Sequence, residues 1–393
     1  MENTLIFRKQ LELYIHIPFC ARKCNYCDFL SFSVNAKEHE QYIDQLCREI
    51  QLTAPSVRSD YDVATIFIGG GTPSVLDPKF ISRIMLYIRK NYHVLPDAEV
   101  TIEVNPASTL RYKFAAYLDA GINRLSIGLQ SANNDELKAL GRLHIFEDFL
   151  KCFEGARLEG FRNINVDLIN DIPDQTAKSW KNSLKKVLIL KPEHVSIYNL
   201  IIEDGTVFRK MNDSGQLHLP DEDTDAEIDA ITKDLTARHD YHRYEVSNYA
   251  KPGFECRHNL GYWSDVPYLG FGLGAASYID KTRHSNTRDF REYLDLPMEE
   301  EFANDCQHLY KEAEVLSRDD MMEEFMFLGL RRTAGISAIE FTERFSVDIR
   351  NVFGSQLDRF AAQGFMIRDG VHYRFTERGM DVSNVLLSEF LLH

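Results

Sequence analysis

No apolar run in this sequence approaches the ~20 residues that cross a bilayer, so no membrane segment is expected. The opening Met-Glu-Asn-Thr-Leu-Ile-Phe-Arg-Lys-Gln holds no apolar core of signal-peptide length. Basic charge is also short: 45 Lys and Arg face 60 Asp and Glu, a net charge of −15. That balance argues against a general nucleic-acid binder. Cysteines are few and odd in number, seven in 393 residues, and a chain of this length buries a core without staples. A disulfide framework is therefore not expected, and the usage fits a reducing cytoplasm. Low-complexity segments and internal repeats beyond a strand–helix alternation are missing as well.

What is present is a concentration of thiols. Cys20, Cys24 and Cys27 lie within eight residues as C-x3-C-x2-C. They follow an alternating, β-rich run, Leu11–Ile17, closed by Pro18, so they sit on the loop at a strand's C-terminal end. Cys47, Cys152, Cys256 and Cys306 stand singly. A structural zinc site wants four ligands, usually as two separated pairs, and here only His16 offers a nearby fourth. Unligated core cysteines are the bland reading. A cubane iron–sulfur cluster needs only three thiolates and leaves one iron open for a substrate. The spacing suits the cluster best.

The words Tyr14-Ile-His-Ile-Pro-Phe-Cys20 and Tyr26-Cys27-Asp-Phe29 resemble the radical S-adenosylmethionine (SAM) superfamily. The resemblance is to the branch of oxygen-independent coproporphyrinogen III oxidase and its haem-chaperone relatives. It implies a 4Fe-4S cluster on Cys20, Cys24 and Cys27. It also implies SAM, chelated to the open iron through amine and carboxylate and cleaved reductively to a 5′-deoxyadenosyl radical.

Downstream, strands are expected at 62–68, 99–104, 123–130, 163–169 and 194–200. Helices are expected at 36–53, 80–90, 110–120, 134–140, 146–159 and 178–190. Six strand–helix units in series predict a parallel sheet curled by right-handed crossovers into a partial (β/α)6 TIM-like barrel. Chemistry in such barrels sits at the C-terminal strand ends. Gly69-Gly70-Gly71-Thr72 ends the second strand without the lysine of a phosphate loop. It is either a tight turn or backbone bared to a ligand's ammonium group. Glu103, Gln130 and Asp167 lie at or near strand ends, and Arg142 follows the fourth strand. Salt bridges or capped loops are the plain alternative for each. Together they suit SAM, with a guanidinium for its carboxylate and Asp167 and Gln130 for ribose hydroxyls. The resemblance implies that Tyr14, Tyr26, Gly70, Gly71, Thr72, Glu103, Gln130, Arg142 and Asp167 line the SAM site.

Residues 203–222 read as a polar connection, 224–238 as a helix and 242–248 as a strand. Next comes Cys256-Arg-His258-Asn259-Leu-Gly-Tyr262-Trp263. By pattern alone His258 is a structural histidine among aromatic core residues. Yet His-Asn-x-x-Tyr-Trp resembles the haem-binding motif of the haem-chaperone group. His258 is then an axial ligand, with Asn259 beside it and Tyr262 and Trp263 as walls for a porphyrin.

An acidic, Pro-containing joint at 296–301 divides the chain into 1–295, with the barrel and haem motif, and 296–393. The tail predicts helices at 320–330, 336–344 and 347–363, then a hairpin about Asp369-Gly370. It resembles a winged-helix-like α+β domain. Its third helix mixes Asp348, Arg350, Asp358 and Arg359, so it offers DNA no basic face.

Three functions compete. One is oxidative decarboxylation of coproporphyrinogen III. Another is a haem chaperone passing haem to recipient haem proteins, some of them membrane-associated, as monomer or homodimer. The last is a zinc-stabilised winged-helix scaffold. Phe29 stands where the oxidase carries a fourth cysteine, only 13 residues precede Tyr14, and the His258–Trp263 motif belongs to the chaperone group. All three favour the chaperone.

Overall fold

The computed structural model describes residues 8–108, 111–297 and 310–392. Strands β1 (Lys9–Ile17), β2 (Tyr61–Gly70), β3 (Val94–Val104), β4 (Arg124–Gln130), β5 (Ile164–Asn170) and β6 (His194–Asn199) open the chain. Between them run helices α1 (Ala36–Thr53), α2 (Pro78–Asn91), α3 (Arg111–Asp119), α4 (Asn134–Ala139), α5 (Phe146–Glu159) and α6 (Ala177–Ile189). The six strands pair in sequence order, all parallel, as a partial barrel.

Residue parity decides the two faces of this sheet. Leu11, Leu13, Ile15 and Ile17 of β1, with their counterparts on β2 to β6, share one core with the apolar stripes of the helices. The alternate residues are polar: Glu12, Tyr14 and His16; Glu99, Thr101 and Glu103; Arg124 and Ser126; Asn165 and Asp167; His194 and Ser196. Register aligns them across the sheet, for example Ser126 with Asn165 and Asn165 with His194. A parallel sheet buried on both faces usually shows unbroken apolar runs. Here the inner face keeps its polar side chains, and each must find partners there.

The chain continues through α7 (Val207–Asp213), α8 (Glu222–Arg238), β7 (His242–Arg243), β8 (Asn248–Ala250) and α9 (Arg257–Trp263). Then come β9 (Tyr268–Phe271), β10 (Ala276–Ile279), β11 (Thr282–Asn286), α10 (Phe290–Asp295) and β12 (Tyr310–Val315). The sheet grows to twelve strands, in the order β12-β11-β10-β9-β1-β2-β3-β4-β5-β6-β8-β7. Two expectations change. The connection at 203–222 contains helix α7, capped by Thr206 and anchored by the single buried side chain of Phe208. The strand expected at 242–248 is two short strands around a turn. There Glu245 accepts the Ser247 N–H and the Arg243 guanidinium donates to the Val246 carbonyl, so side chains hold the turn between the two strands.

The acidic joint lies largely outside the described residues. Beyond it, β12 is the far edge of the large sheet. A second core follows, built by α11 (Arg318–Gly329), β13 (Ile336–Ser337), α12 (Ala338–Phe345), α13 (Ile349–Ala362), β14 (Met366–Asp369), β15 (His372–Phe375), α14 (Glu377–Asp381) and α15 (Ser383–Leu387). The small sheet runs β13-β15-β14, and the hairpin turns at Gly370, whose φ is 60°. The winged-helix-like α+β unit is present, with the first residues of the expected 336–344 helix spent on β13. Among the described residues, no helix is long and apolar enough to cross a membrane.

Candidate functional site

The cysteine loop is folded by backbone bonds before any ligand is considered. The Cys20 N–H donates to the Phe32 carbonyl and the Phe32 N–H to that of Pro18. Asn25 fixes the loop from the other side, taking the Phe208 N–H of α7 and donating its own N–H to Leu140 at the end of α4. All three thiols are half-buried and free. Cys20 Sγ lies 3.4 Å from Thr72 Oγ1, and Arg142 Nη1 points at Cys24 Sγ from 3.7 Å. Burial, with the neighbouring thiols adding, pushes Cys27 up to about 11.

Among the described residues no three His, Cys, Asp or Glu side chains converge tightly enough to hold one metal ion. The three thiols share one loop, and a structural zinc site would need a fourth ligand beside them. His16 is no free fourth ligand. Its Nδ1 meets the Tyr14 hydroxyl at 3.1 Å and its Nε2 the Leu30 carbonyl at 3.1 Å.

The glycines after β2 have a packing reason for lacking a side chain. Gly70 has φ 113°, and a Cβ there would stand 2.7 Å from the His16 ring. A Cβ on Gly71 would meet the Phe19 carbonyl oxygen at 2.8 Å. The ends of β1 and β2 therefore close on each other directly beneath the thiols. Gly70 N–H donates to Glu103 Oε2 at 3.0 Å. Burial, with Asp167 nearby, raises Glu103 to about 8.

Asp167 faces the inside of the sheet from β5. Ser126 Oγ donates to one carboxylate oxygen at 2.9 Å and Asn165 Nδ2 to the other at 2.8 Å. Gln130 ends β4 at a register shift and with φ 73°, a left-handed conformation rare outside glycine. Strained backbone of this kind clusters at functional sites. Arg142 reaches back to the Gly128 carbonyl at 2.7 Å, while its Nε is buried with no partner among the described residues. That orphaned donor on a buried guanidinium is what an incoming carboxylate would satisfy. Tyr26 packs among Leu140, Ile169, Ile172 and Phe208. Tyr14 stacks on Phe67 at 6.4 Å. The SAM-site residues expected from the sequence thus gather at one end of the sheet, around the cysteine loop.

The histidine motif lies deeper. It forms α9, whose first N–H groups, those of Arg257 and His258, donate to Glu99 of β3. A carboxylate there also complements the helix dipole. Gly261 brings the helix close to Glu12: a Cβ there would stand 1.8 Å from Glu12 Oε1 and would displace that carboxyl. His258 is 1% exposed, stacked on Phe67 at 5.2 Å. Its Nδ1 meets Thr65 Oγ1 at 2.7 Å and its Nε2 the Tyr262 hydroxyl at 3.1 Å. Burial holds its pKa down at about 3, and burial raises Glu12 to about 9. Both groups are neutral near pH 7, so their 3.8 Å approach is not an ion pair. Neither ring nitrogen is free, and axial ligation through Nε2 requires Tyr262 to move. Asn259 is half-buried. Trp263 carries Arg331 over its ring at 5.4 Å, and its Nε1 is buried without a partner among the described residues.

Sequence reasoning missed the polar layer beneath Asp167, namely Ser126, Asn165 and His194, together with Glu12 and Glu99. The signal was available: polar residues recur at every second position of strands that are otherwise Ile, Leu and Val.

Residues 14–187 match the radical SAM superfamily, and residues 316–382 match the HemN C-terminal domain. A Bacillus subtilis protein described as "Heme chaperone HemW" is 37% identical over 379 residues, covering 96% of this chain and 98% of its own. The Escherichia coli protein of the same description is 34% identical, covering 97% and 98%. Among solved structures, coproporphyrinogen III oxidase (HemN) from Escherichia coli superposes with a TM-score of 0.83 at 24% identity, over 98% of this chain and 91% of that one. At that identity the likeness speaks for the fold alone.

Proposed function

This chain belongs to the HemW family within the radical SAM superfamily, and from that premise we propose that it is a haem chaperone. In this reading Cys20, Cys24 and Cys27 hold a 4Fe-4S cluster. SAM lies across the strand ends against Tyr14, Tyr26, Gly70, Gly71, Thr72, Glu103, Gln130, Arg142 and Asp167. Haem binds at His258, Asn259, Tyr262 and Trp263 and passes to recipient haem proteins in the cytoplasm or at a membrane surface. A bound cluster supplies one-electron reduction and an open iron to SAM. The chain's own residues orient the ligand: Arg142 offers its orphaned Nε, and Asp167 a carboxylate held by two donors. The observation that carries the reading is that relatives described as haem chaperones match this chain over nearly their whole length.

Coproporphyrinogen III oxidation is the second reading, favoured by the match of residues 316–382 to the HemN C-terminal domain. Against it stands Phe29, at the position of the oxidase's extra cysteine and 59% exposed beside the thiols.

The test is an anaerobic reconstitution followed by haem titration. Broad brown absorbance with iron and sulfide is expected, then a Soret band that shifts or weakens in His258→Ala. Any one of Cys20→Ala, Cys24→Ala or Cys27→Ala should lose the cluster. Zinc in the metal analysis defeats the cluster. Identical Soret spectra in wild type and His258→Ala defeat the haem site. Protoporphyrinogen made from coproporphyrinogen III under reducing, SAM-replete conditions replaces the chaperone with the oxidase.

A further inference from the structure

The polar layer inside the sheet contains one continuous chain of hydrogen bonds that the proposed site does not yet use. It begins at the backbone N–H of Cys256, the residue just before α9, which donates to the Tyr244 hydroxyl oxygen at 3.2 Å. The Tyr244 hydroxyl lies 2.7 Å from His194 Nε2, and His194 Nδ1 lies 2.6 Å from Asn165 Oδ1. Asn165 Nδ2 then donates to Asp167 Oδ1 at 2.8 Å and to Ser126 Oγ at 2.8 Å, and Ser126 donates to Asp167 Oδ2.

Burial pushes the Asp167 carboxyl up, while its bonds from Ser126 and Asn165 favour the ionised form; with Asp167 ionised, the direction of every bond follows from its ends. Asp167 as a carboxylate only accepts, so the amide of Asn165 must face it and the Asn165 oxygen must face His194. His194 Nδ1 therefore carries the proton and Nε2 accepts from Tyr244. The Tyr244 oxygen is left to accept from Cys256. All donors point one way, toward Asp167. Such chains polarise cooperatively. His194 and Asn165 are buried, at 0% and 2% exposure, and burial keeps the imidazole neutral, as a one-donor, one-acceptor link requires.

We infer that His194 is a positioning residue: with Asn165 and Tyr244 it aims the Asp167 carboxylate at bound SAM and ties that carboxylate to the helix bearing His258. The inference rests on the proposed SAM contact at Asp167. It goes further in assigning a role to three residues from β5, β6 and the turn after β7.

The test uses the full chain with its cluster reconstituted, titrated with SAM, and nitrogen NMR of the labelled, ligand-free chain. Tyr244→Phe, which keeps the ring, and His194→Leu are each expected to weaken SAM binding about tenfold, equivalent to ~1.4 kcal/mol, at unchanged iron content. His194→Gln, whose amide also offers a donor at one end and an acceptor at the other, should bind within about threefold of wild type. The His194 imidazole should appear as the neutral Nδ1–H form in wild type and lose that single form in Tyr244→Phe. An Nε2–H or charged His194 in wild type overturns the inference. So does wild-type SAM affinity in both Tyr244→Phe and His194→Leu when Asp167→Asn has lost it. A Gln variant as weak as Leu likewise overturns it, as a packing effect. Unchanged affinity in Asp167→Asn instead removes the SAM reading on which the inference stands, and the inference with it.

Discussion

Arg142 is the residue whose loss separates the two halves of the site. It touches Cys24 Sγ only weakly, and its Nε is unsatisfied. Arg142→Ala should keep the cluster, measured as iron and sulfide per chain, and weaken SAM binding by about 1.5–3 kcal/mol, the usual worth of a hydrogen bond to a charged group. Arg142→Lys keeps the charge but loses the planar fork, so equilibrium dialysis should place it between the two. Unaltered SAM affinity in Arg142→Ala would leave the guanidinium a structural role, on the Gly128 carbonyl and the Cys24 thiol. The thiols and Arg142 were legible in the sequence because each belongs to a short local word. The partners of Asp167 were not. Ser126, Asn165 and His194 come from three strands, and only the register of β4, β5 and β6 makes them neighbours. His258 shows the converse: its word was legible, but its burial between Thr65 and Tyr262 depends on how α9 lies on β1 and β2.

At the scale of elements, the additions flanking the barrel are joined to it by Glu49 of α1. It is fully buried and accepts from Gly272 N–H, the Asn286 amide and the Tyr293 hydroxyl, so one carboxylate holds the turn after β9, strand β11 and helix α10. Burial raises its pKa to about 7 against those bonds. The folded chain therefore holds this proton more tightly than the unfolded chain does. Its contribution to stability is fully present below the unfolded value near 4.5 and is lost as pH rises through about 7. Glu49→Gln should flatten that slope, by at most roughly 3 kcal/mol across the window. Urea unfolding of wild type and variant at pH 5 and pH 7.5 checks it, and parallel slopes would place the pH dependence elsewhere. The repeated strands and helices were legible because their apolar periods match the buried faces, as with Tyr42, Ile43, Leu46 and Ile50 of α1. Helix α7 was not, because seven residues with one buried side chain leave no period to read.

On the scale of the whole molecule, the C-terminal unit grips the segment that ends α9. Arg331 covers Trp263, Arg332 donates to Ser264 Oγ at 2.9 Å, and Arg344 pairs with Asp265. Arg332→Ala with Arg344→Ala should speed amide hydrogen exchange across residues 257–265 while the β1–β6 amides stay protected. Equal exchange in both regions would mean that the grip carries no strength. The unit's fold was legible from its helices and Asp-Gly turn, whereas this grip was not, since 68 residues separate Arg332 from Ser264. The same grip bears on how fast cargo can load. His258 shows no free nitrogen until Tyr262 withdraws, so in the proposed haem site capture would wait on an opening of the protein. In stopped-flow mixing, the ligation rate should climb with haem concentration and then level off at the opening rate, where a preformed pocket would keep climbing. Tyr262→Phe, which removes the hydroxyl on Nε2, should raise both the plateau and the initial slope.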